Sequence, residues 1–208
     1  MLKRTFDCAA ALLGIILLFP LLLLVAVAIK FDSPGPVFFM QERIGRRFRP
    51  FRILKFRTML HGAEQMGSQI TLRQDPRVTR VGSILRATKV DELPQLINIL
   101  KGDMSVVGPR PEVGRYVEAL REEYAEVLEV RPGLTDLASL KYVDEEAMLK
   151  PTENWNEHYT NVILPDKIRL AKEYVAQASF ALDLTLIVRT LVGIVRNVGG
   201  GAIRRIAS

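Results

Sequence analysis

The chain is nearly without the residues that build metal cages and disulfides. It has one cysteine, Cys8, and two isolated histidines, His61 and His158. A single thiol closes no intrachain disulfide, and a structural zinc site needs four Cys or His ligands, so neither device supports this fold. Cys8 lies in an apolar run and reads as a small hydrophobe. A body free of disulfides fits the cytoplasm. Aromatic residues make up 7%, tryptophan occurs once, and no internal repeat or low-complexity linker divides the chain. Charge is lopsided, with net +6 over 208 residues. The basic residues are interleaved with apolar ones and no nucleic-acid module is present, which points to anionic headgroups or phosphorylated substrates rather than nucleic acid.

What the sequence does have is a run from Cys8 to Ile29 with no charged residue. It is long enough to cross a hydrocarbon core of about 30 Å as a helix. Pro20 lies inside it, and an internal proline removes a backbone bond and clashes with the preceding turn. Lys3 and Arg4 precede the run. Lys30 follows, then Arg43, Arg46, Arg47, Arg49, Arg52 and Lys55. Basic residues favour the cytoplasmic side, so neither end favours translocation. Two topologies remain open: a hairpin broken at Pro20 that enters and leaves by one face, and a kinked spanning anchor. A cleaved signal peptide fits worse, since the run is too long and lacks a small-x-small cleavage site.

Beyond the anchor, Ser33–Pro36 (SPGP) is a turn. Residues 37–40 read as a short strand, and residues 43–57 alternate basic with apolar side chains as an edge strand or a headgroup-layer segment. Residues 60–70 read as a short polar helix, and residues 78–88 as an amphipathic one. Pro94 suits a helix start, with Leu93, Leu96, Ile97 and Leu100 as the apolar face. A loop rich in Gly and Pro follows, with Gly102 and Gly108 at its turns and Asp103 structural. One helix is expected from Glu112 to about Val130, another after Pro165, and an amphipathic, interface-lying helix from Phe180 to Val198. Trp155 and Tyr159 fit either the membrane surface or an ordinary core. The expected fold is mainly α with a few short strands: a re-entrant membrane helix hairpin over residues 1–30, a compact cytoplasmic catalytic domain with interfacial amphipathic helices over 31–200, and a short basic tail over 201–208.

Candidate chemistry centres on Asp91 and Glu92. Two adjacent carboxylates before a helix are either caps or reactive groups. Lys55, Arg57, Arg77, Arg80 and Arg86 are candidate phosphate contacts, each with an ordinary ion pair as its alternative. Arg110 stands between Pro109 and Pro111, and a rigid loop holds a guanidinium for bidentate contact at low entropic cost.

Seven segments, in order, resemble one family: KRTFD (Lys3–Asp7), SPGP (Ser33–Pro36), QERIG (Gln41–Gly45), KFRTM (Lys55–Met59), DPRVTRVGSILR (Asp75–Arg86), DELPQLINILKGDMSVVGPRPE (Asp91–Glu112) and RPGLT (Arg131–Thr135). The chain resembles the bacterial sugar transferases, in particular the small monotopic polyprenol-phosphate phosphoglycosyl transferases. The resemblance implies a re-entrant anchor broken at a proline. It implies transfer of a sugar-1-phosphate from a UDP-sugar to polyprenol (undecaprenyl) phosphate at the cytoplasmic face of the bacterial inner membrane, releasing UMP and starting glycoconjugate or exopolysaccharide assembly. It further implies a phosphosugar held on Asp91, with Mg²⁺ at Asp91 and Glu92. Partners would be the two substrates and membrane lipids, with an oligomer open and no nucleic acid. A non-catalytic membrane scaffold derived from such an enzyme is the competing reading. Two positions depart from the family pattern: Asp136 follows RPGLT where glycine is common, and Ala171 stands where many members carry an aspartate.

Overall fold

The computed structural model describes residues 2–63, 75–142 and 155–197. The expected tail 201–208 and most of the expected helix 60–70 lie outside them. Helix α1 (Leu2–Asp32) runs with Pro20 inside it, about 46 Å at the usual rise of 1.5 Å per residue. Its two halves pack differently. Ala11, in the first half, is fully buried with Ile53, Leu96, Ile99 and Met104. Val25 and Ile29, in the second, pack with Phe56 and Leu85. Leu12, Leu13, Ile16, Leu17, Phe19, Leu23 and Leu24 are exposed.

Polar contacts fix both ends of α1. Lys3 pairs with Asp183 and donates to the Val107 carbonyl at 3.0 Å. Asp7, buried, accepts from Ser105 Oγ at 2.8 Å and Val106 N at 3.1 Å. At the far end Asp32 accepts from Val81 N at 3.1 Å. The Arg57 guanidinium donates to the carbonyls of Ser33 and Pro34. Terminal carbonyls of a helix lack partners within it, and a buried arginine near that end supplies them.

Strands β1 (Phe38–Ile44) and β2 (Pro50–Phe56) form an antiparallel hairpin in register Phe38↔Phe56 to Ile44↔Pro50. It resolves residues 43–57 into two strands around a short turn. Helix α2 (Arg80–Thr88) starts at Thr79, whose side chain accepts from Gly82 N. A 3₁₀ turn (Val90–Glu92) leads into α3 (Gln95–Lys101), which Gly102 ends at φ 94. The buried face of α3 is only partly the expected one. Ile97 and Leu100 are exposed, while Gln95, Leu96, Asn98 and Ile99 are buried. The reason is the neighbouring strand: Asn98 donates to Arg52 O at 2.8 Å and accepts from Leu54 N at 2.9 Å, meeting the free edge of β2. Asp103 accepts from the same amide at 3.2 Å.

Strand β3 (Ser105–Val107) follows, then α4 (Gly114–Ala119) and α5 (Arg121–Val127), broken at Leu120 where one helix was expected; nothing in the local sequence explains the break. Strand β4 (Gly133–Thr135) pairs parallel with β3, and α6 (Leu137–Lys141) follows. The short α7 (Trp155–His158) passes through a π turn into α8 (Leu164–Gln177), with Pro165 in its first turn. Helix α9 (Phe180–Asn197) buries Asp183 and Leu186 and exposes Leu184, Val188, Leu191 and Val195 along one stripe.

The β3–β4 pair was not legible in the sequence because it depends on close backbone approach. A Cβ at Gly133 would lie 2.1 Å from Gly108 N and 2.3 Å from Gly108 O. Gly133→Ala is expected to destabilise the protein by about 3 kcal/mol or more, the upper range for overpacking. Thermal unfolding in detergent measures this, and an unchanged midpoint would refute the close approach.

Candidate active site

Asp91 and Glu92 lie side by side on the 3₁₀ turn, both 8% exposed. Their surroundings differ sharply. Glu92 Oε1 accepts from Lys55 Nζ at 3.0 Å. Both terminal nitrogens of Arg110 also grip Glu92, Nη1 reaching Oε2 at 3.1 Å and Nη2 reaching Oε1. Asp91 Oδ1, in contrast, is buried and meets no hydrogen-bond donor among the described residues. One carboxylate has collected two cations and its neighbour none by direct contact.

Protonation follows from this. Burial pushes the Glu92 carboxyl up, but Arg110 and Lys55 together outweigh it and hold the group well below the usual glutamate range. Burial pushes Asp91 up, and Glu92 adds to the rise against the opposing fields of Lys55, Arg86 and Lys89. Burial also lowers the Lys55 ammonium, against the attraction of Glu92. Two adjacent carboxyls driven apart in acidity is a pattern that separates chemical roles.

The Arg110 loop is held at each of its residues. Pro109 O accepts from Gly133 N at 2.9 Å, Arg110 N donates to Asp136 Oδ2 at 3.1 Å, and Pro111 O accepts from Arg43 Nη1 at 3.3 Å. Asp136 caps α6 as well, accepting from Ser139 N at 2.7 Å. The residue that departs from the family pattern thus ties the arginine loop to the next helix. Glu112 anchors the far side, accepting from Arg43 at 3.0 Å and Tyr159 Oη at 2.8 Å. Tyr159 is a core residue.

The structure brings Lys55, Asp91, Glu92 and Arg110 together, and sets Arg86 near enough to act on Asp91 while its Nε donates to Thr58 Oγ1 at 2.8 Å. Arg57 is committed to the end of α1. Arg77 pairs with Asp75 at 2.6 Å within its own turn and reaches Ala63 O. Arg80 is exposed in the first turn of α2. Sequence reasoning missed Lys89, whose left-handed backbone at φ 59 ends α2 beside Asp91. It also missed Gln95 and Asn98, placed in the interior by α3's rotation. Polar residues spaced four and seven from Asp91 were the available signal.

These residues sit on a chain whose positions 1–197 match the family model for bacterial sugar transferase. Among similar proteins is the UDP-glucose:undecaprenyl-phosphate glucose-1-phosphate transferase of Caulobacter vibrioides, 43% identical over 192 residues, covering 91% of this chain and 68% of that protein. The exopolysaccharide production protein PSS of Rhizobium leguminosarum bv. phaseoli is 40% identical over 202 residues, covering 92% and 94%. A UDP-N-acetylgalactosamine-undecaprenyl-phosphate N-acetylgalactosaminephosphotransferase of Aeromonas hydrophila is 48% identical over 144 residues, covering 67% of this chain but 34% of that protein. With the family matched across almost its whole length, the chain belongs to the bacterial sugar transferases.

Proposed function

We propose that this protein transfers a sugar-1-phosphate from a UDP-sugar to polyprenol phosphate at the cytoplasmic face of the bacterial inner membrane, giving polyprenol diphosphate sugar and UMP. The observation that carries the reading is the buried Asp91 oxygen without a partner, beside a glutamate that has already taken the nearby cations. A carboxylate is a weak nucleophile unless its site leaves it unsolvated and its electrophile neutralised. Asp91 attacks the phosphorus that bears the sugar, and the bond from that phosphorus to the UMP oxygen breaks with its electron pair leaving on UMP. A phosphate oxygen of the polyprenol phosphate then attacks the same phosphorus and displaces the Asp91 carboxylate. No proton is gained or lost over the two steps. Glu92 fixes Lys55 and Arg110 where the charge of the diphosphate arrives, and the exposed part of Arg110 faces incoming substrate.

The donor set suits a cation that arrives with the diphosphate. No group of three or more His, Cys, Asp or Glu side chains gathers among the described residues, and Mg²⁺ is commonly held by one or two carboxylates plus substrate phosphates. Both Glu92 oxygens are engaged by Lys55 and Arg110, so of the expected pair Asp91 would hold the ion, through the carboxylate oxygen that does not attack phosphorus. Bound there, Mg²⁺ would neutralise the phosphoryl oxygens and polarise the phosphorus.

The docking of α1 bears on the topology. Its first turns rest on β3 and α3, through Asp7 and through Arg4, which donates to Ile99 O at 2.7 Å. Its last turn rests on α2 and Arg57. A helix with its ends on opposite faces of a core about 30 Å thick cannot meet one soluble body at both ends. This supports a segment that enters and leaves by the cytoplasmic face, centred near Pro20, with the exposed stripe of α9 lying along the headgroups. Such a wedge lets one site meet a soluble nucleotide sugar and a lipid-borne phosphate. Relatives are named for glucose and for N-acetylgalactosamine, so a panel of UDP-sugars is the direct assay for the donor.

Asp91→Asn should lower UMP release by more than about a thousandfold, on the scale seen when a covalent nucleophile is lost, at an unchanged unfolding midpoint. Activity within about tenfold of wild type would remove Asp91 from that role. Chelation by EDTA should stop UMP release and added Mg²⁺ restore it, whereas full turnover after exhaustive chelation would exclude the metal. For topology, Leu2→Cys and Pro36→Cys, each in a Cys8→Ser background, should resist an impermeant thiol reagent in spheroplasts and react after lysis. Labelling of residue 2 in intact spheroplasts would contradict the one-face arrangement.

A further inference from the structure

The chemistry above leaves one buried polar group at the site unused. Gln95 opens α3, is 1% exposed, and its side-chain Nε2 meets no acceptor among the described residues. An amide donor left unmade in the interior carries a penalty comparable to a lost hydrogen bond, and most native folds avoid it. A site that binds a ligand is one place where such a group persists.

Neighbouring residues show which way Gln95 faces. From Asp91 through Asn98 the backbone follows a helical path, with Leu93 and Pro94 both in right-handed helical conformation. Within α3, positions 95 and 98 are three apart and lie on one side, and Asp91, Gln95 and Asn98 are all buried while Ile97 and Leu100 are exposed. Both ends of this polar stripe rest on β2. Asn98 holds Arg52 O and Leu54 N, and Glu92, next to Asp91, holds Lys55. Gln95 lies between them in the chain, four residues after Asp91 and three before Asn98. The segment thus buries an unmade donor on Gln95 and an unmade acceptor on Asp91, and the two do not bond each other. A group carrying its own acceptor oxygens, set between them, would answer the donor.

We propose that Gln95 is a catalytic residue whose Nε2 donates to a non-bridging oxygen of the phosphoryl group transferred through Asp91. The inference rests on the covalent-aspartate reading. In transfer of a sugar-phosphoryl group the phosphorus keeps the sugar oxygen, and its charge sits on two non-bridging oxygens that need donors in the transition state. Lys55 and Arg110 approach from the Glu92 side, and Gln95 supplies a neutral donor from the α3 side. The amide exchanges no proton. It holds the oxygen while the bond to Asp91 forms and the bond to UMP breaks, and again when the acceptor oxygen displaces Asp91, so both half-reactions depend on it.

Gln95→Met keeps length and approximate volume but removes the donor. Loss of one such preorganised donor typically lowers kcat about a hundredfold. The expected result is a drop of that order in UMP release, with KM for the UDP-sugar within about threefold of wild type and an unfolding midpoint equal or raised, because an unmade polar group has been removed from the interior. Formation of the phosphosugar adduct on Asp91, followed by quench and peptide mass measurement without acceptor lipid, should slow to the same extent. If the methionine variant is poorly folded, Gln95→Glu decides: it keeps the shape, lacks the donor, sets a carboxylate against the phosphoryl oxygens, and should be slower than Gln95→Met at matched stability. A wild-type protein that forms the adduct together with a Gln95→Met variant that forms it at the wild-type rate would overturn this inference alone. A wild-type protein that releases UMP with no adduct on Asp91 would overturn both this inference and the reading beneath it.

Discussion

The site depends on an unequal division of charge between two adjacent carboxylates. Glu92 is gripped by Lys55 and by both terminal nitrogens of Arg110, and this keeps a buried glutamate ionised. Removing Lys55 or Arg110 would leave a buried glutamate short of counter-charge, so the arrangement resists rearrangement towards Asp91. Asp91 is buried at the same depth with its Oδ1 unmade. Were Lys55 or Arg110 to turn to Asp91, the carboxylate would lose its readiness to meet phosphorus. In the proposed mechanism Glu92 serves less as a reagent than as a holder of cations.

That division is built from three separate parts of the chain, and each is tied down at some distance from the chemistry. Lys55 comes from β2, which Asn98 clamps through its open backbone edge. Arg110 comes from a loop fixed by Gly133, Asp136 and Arg43. The carboxylates come from the turn before α3, whose C-terminal carbonyls receive Arg4 from the anchor. Because Asp7 bonds Val106, three residues before the arginine loop begins at Pro109, the first turns of α1 and the position of Arg110 are coupled through one short strand. In the proposed reading, these contacts would fix the height of Lys55 and Arg110 above the hydrocarbon.

Much of this was legible in the sequence, and the losses share one cause. The long apolar segment, the helix after Pro165 and the amphipathic helix from Phe180 follow from periodicity and proline placement, and Asp91, Glu92, Lys55 and Arg110 were among the candidates that the family resemblance and local charge had named. Three things did not. Arg57 and Arg77 look like phosphate ligands by charge, but one satisfies the end of α1 and the other its own DPR turn; a basic residue's partner is decided by tertiary proximity. The α3 face was predicted from its leucines and isoleucines, yet Gln95 and Asn98 are buried, Asn98 because β2 offers it an unpaired edge. The β3–β4 pair needs the Gly108–Gly133 contact, and no local pattern announces a close approach between residues so far apart in the chain. Asp136, a departure from the family pattern, gained a meaning only when its bonds to Arg110 N and Ser139 N were seen.

The central claim is that Asp91 is held ready to form a covalent bond to phosphorus. Its most direct test is to mix the detergent-solubilised protein with Mg²⁺ and an accepted UDP-sugar in the absence of polyprenol phosphate, quench in acid, and determine the mass of the peptide bearing Asp91. The account predicts a stoichiometric burst of UMP and a mass increase on that peptide equal to one sugar phosphate less water, removed on adding polyprenol phosphate. UMP release that requires the acceptor lipid, with the Asp91 peptide unmodified throughout, would mean a single direct displacement and would contradict it.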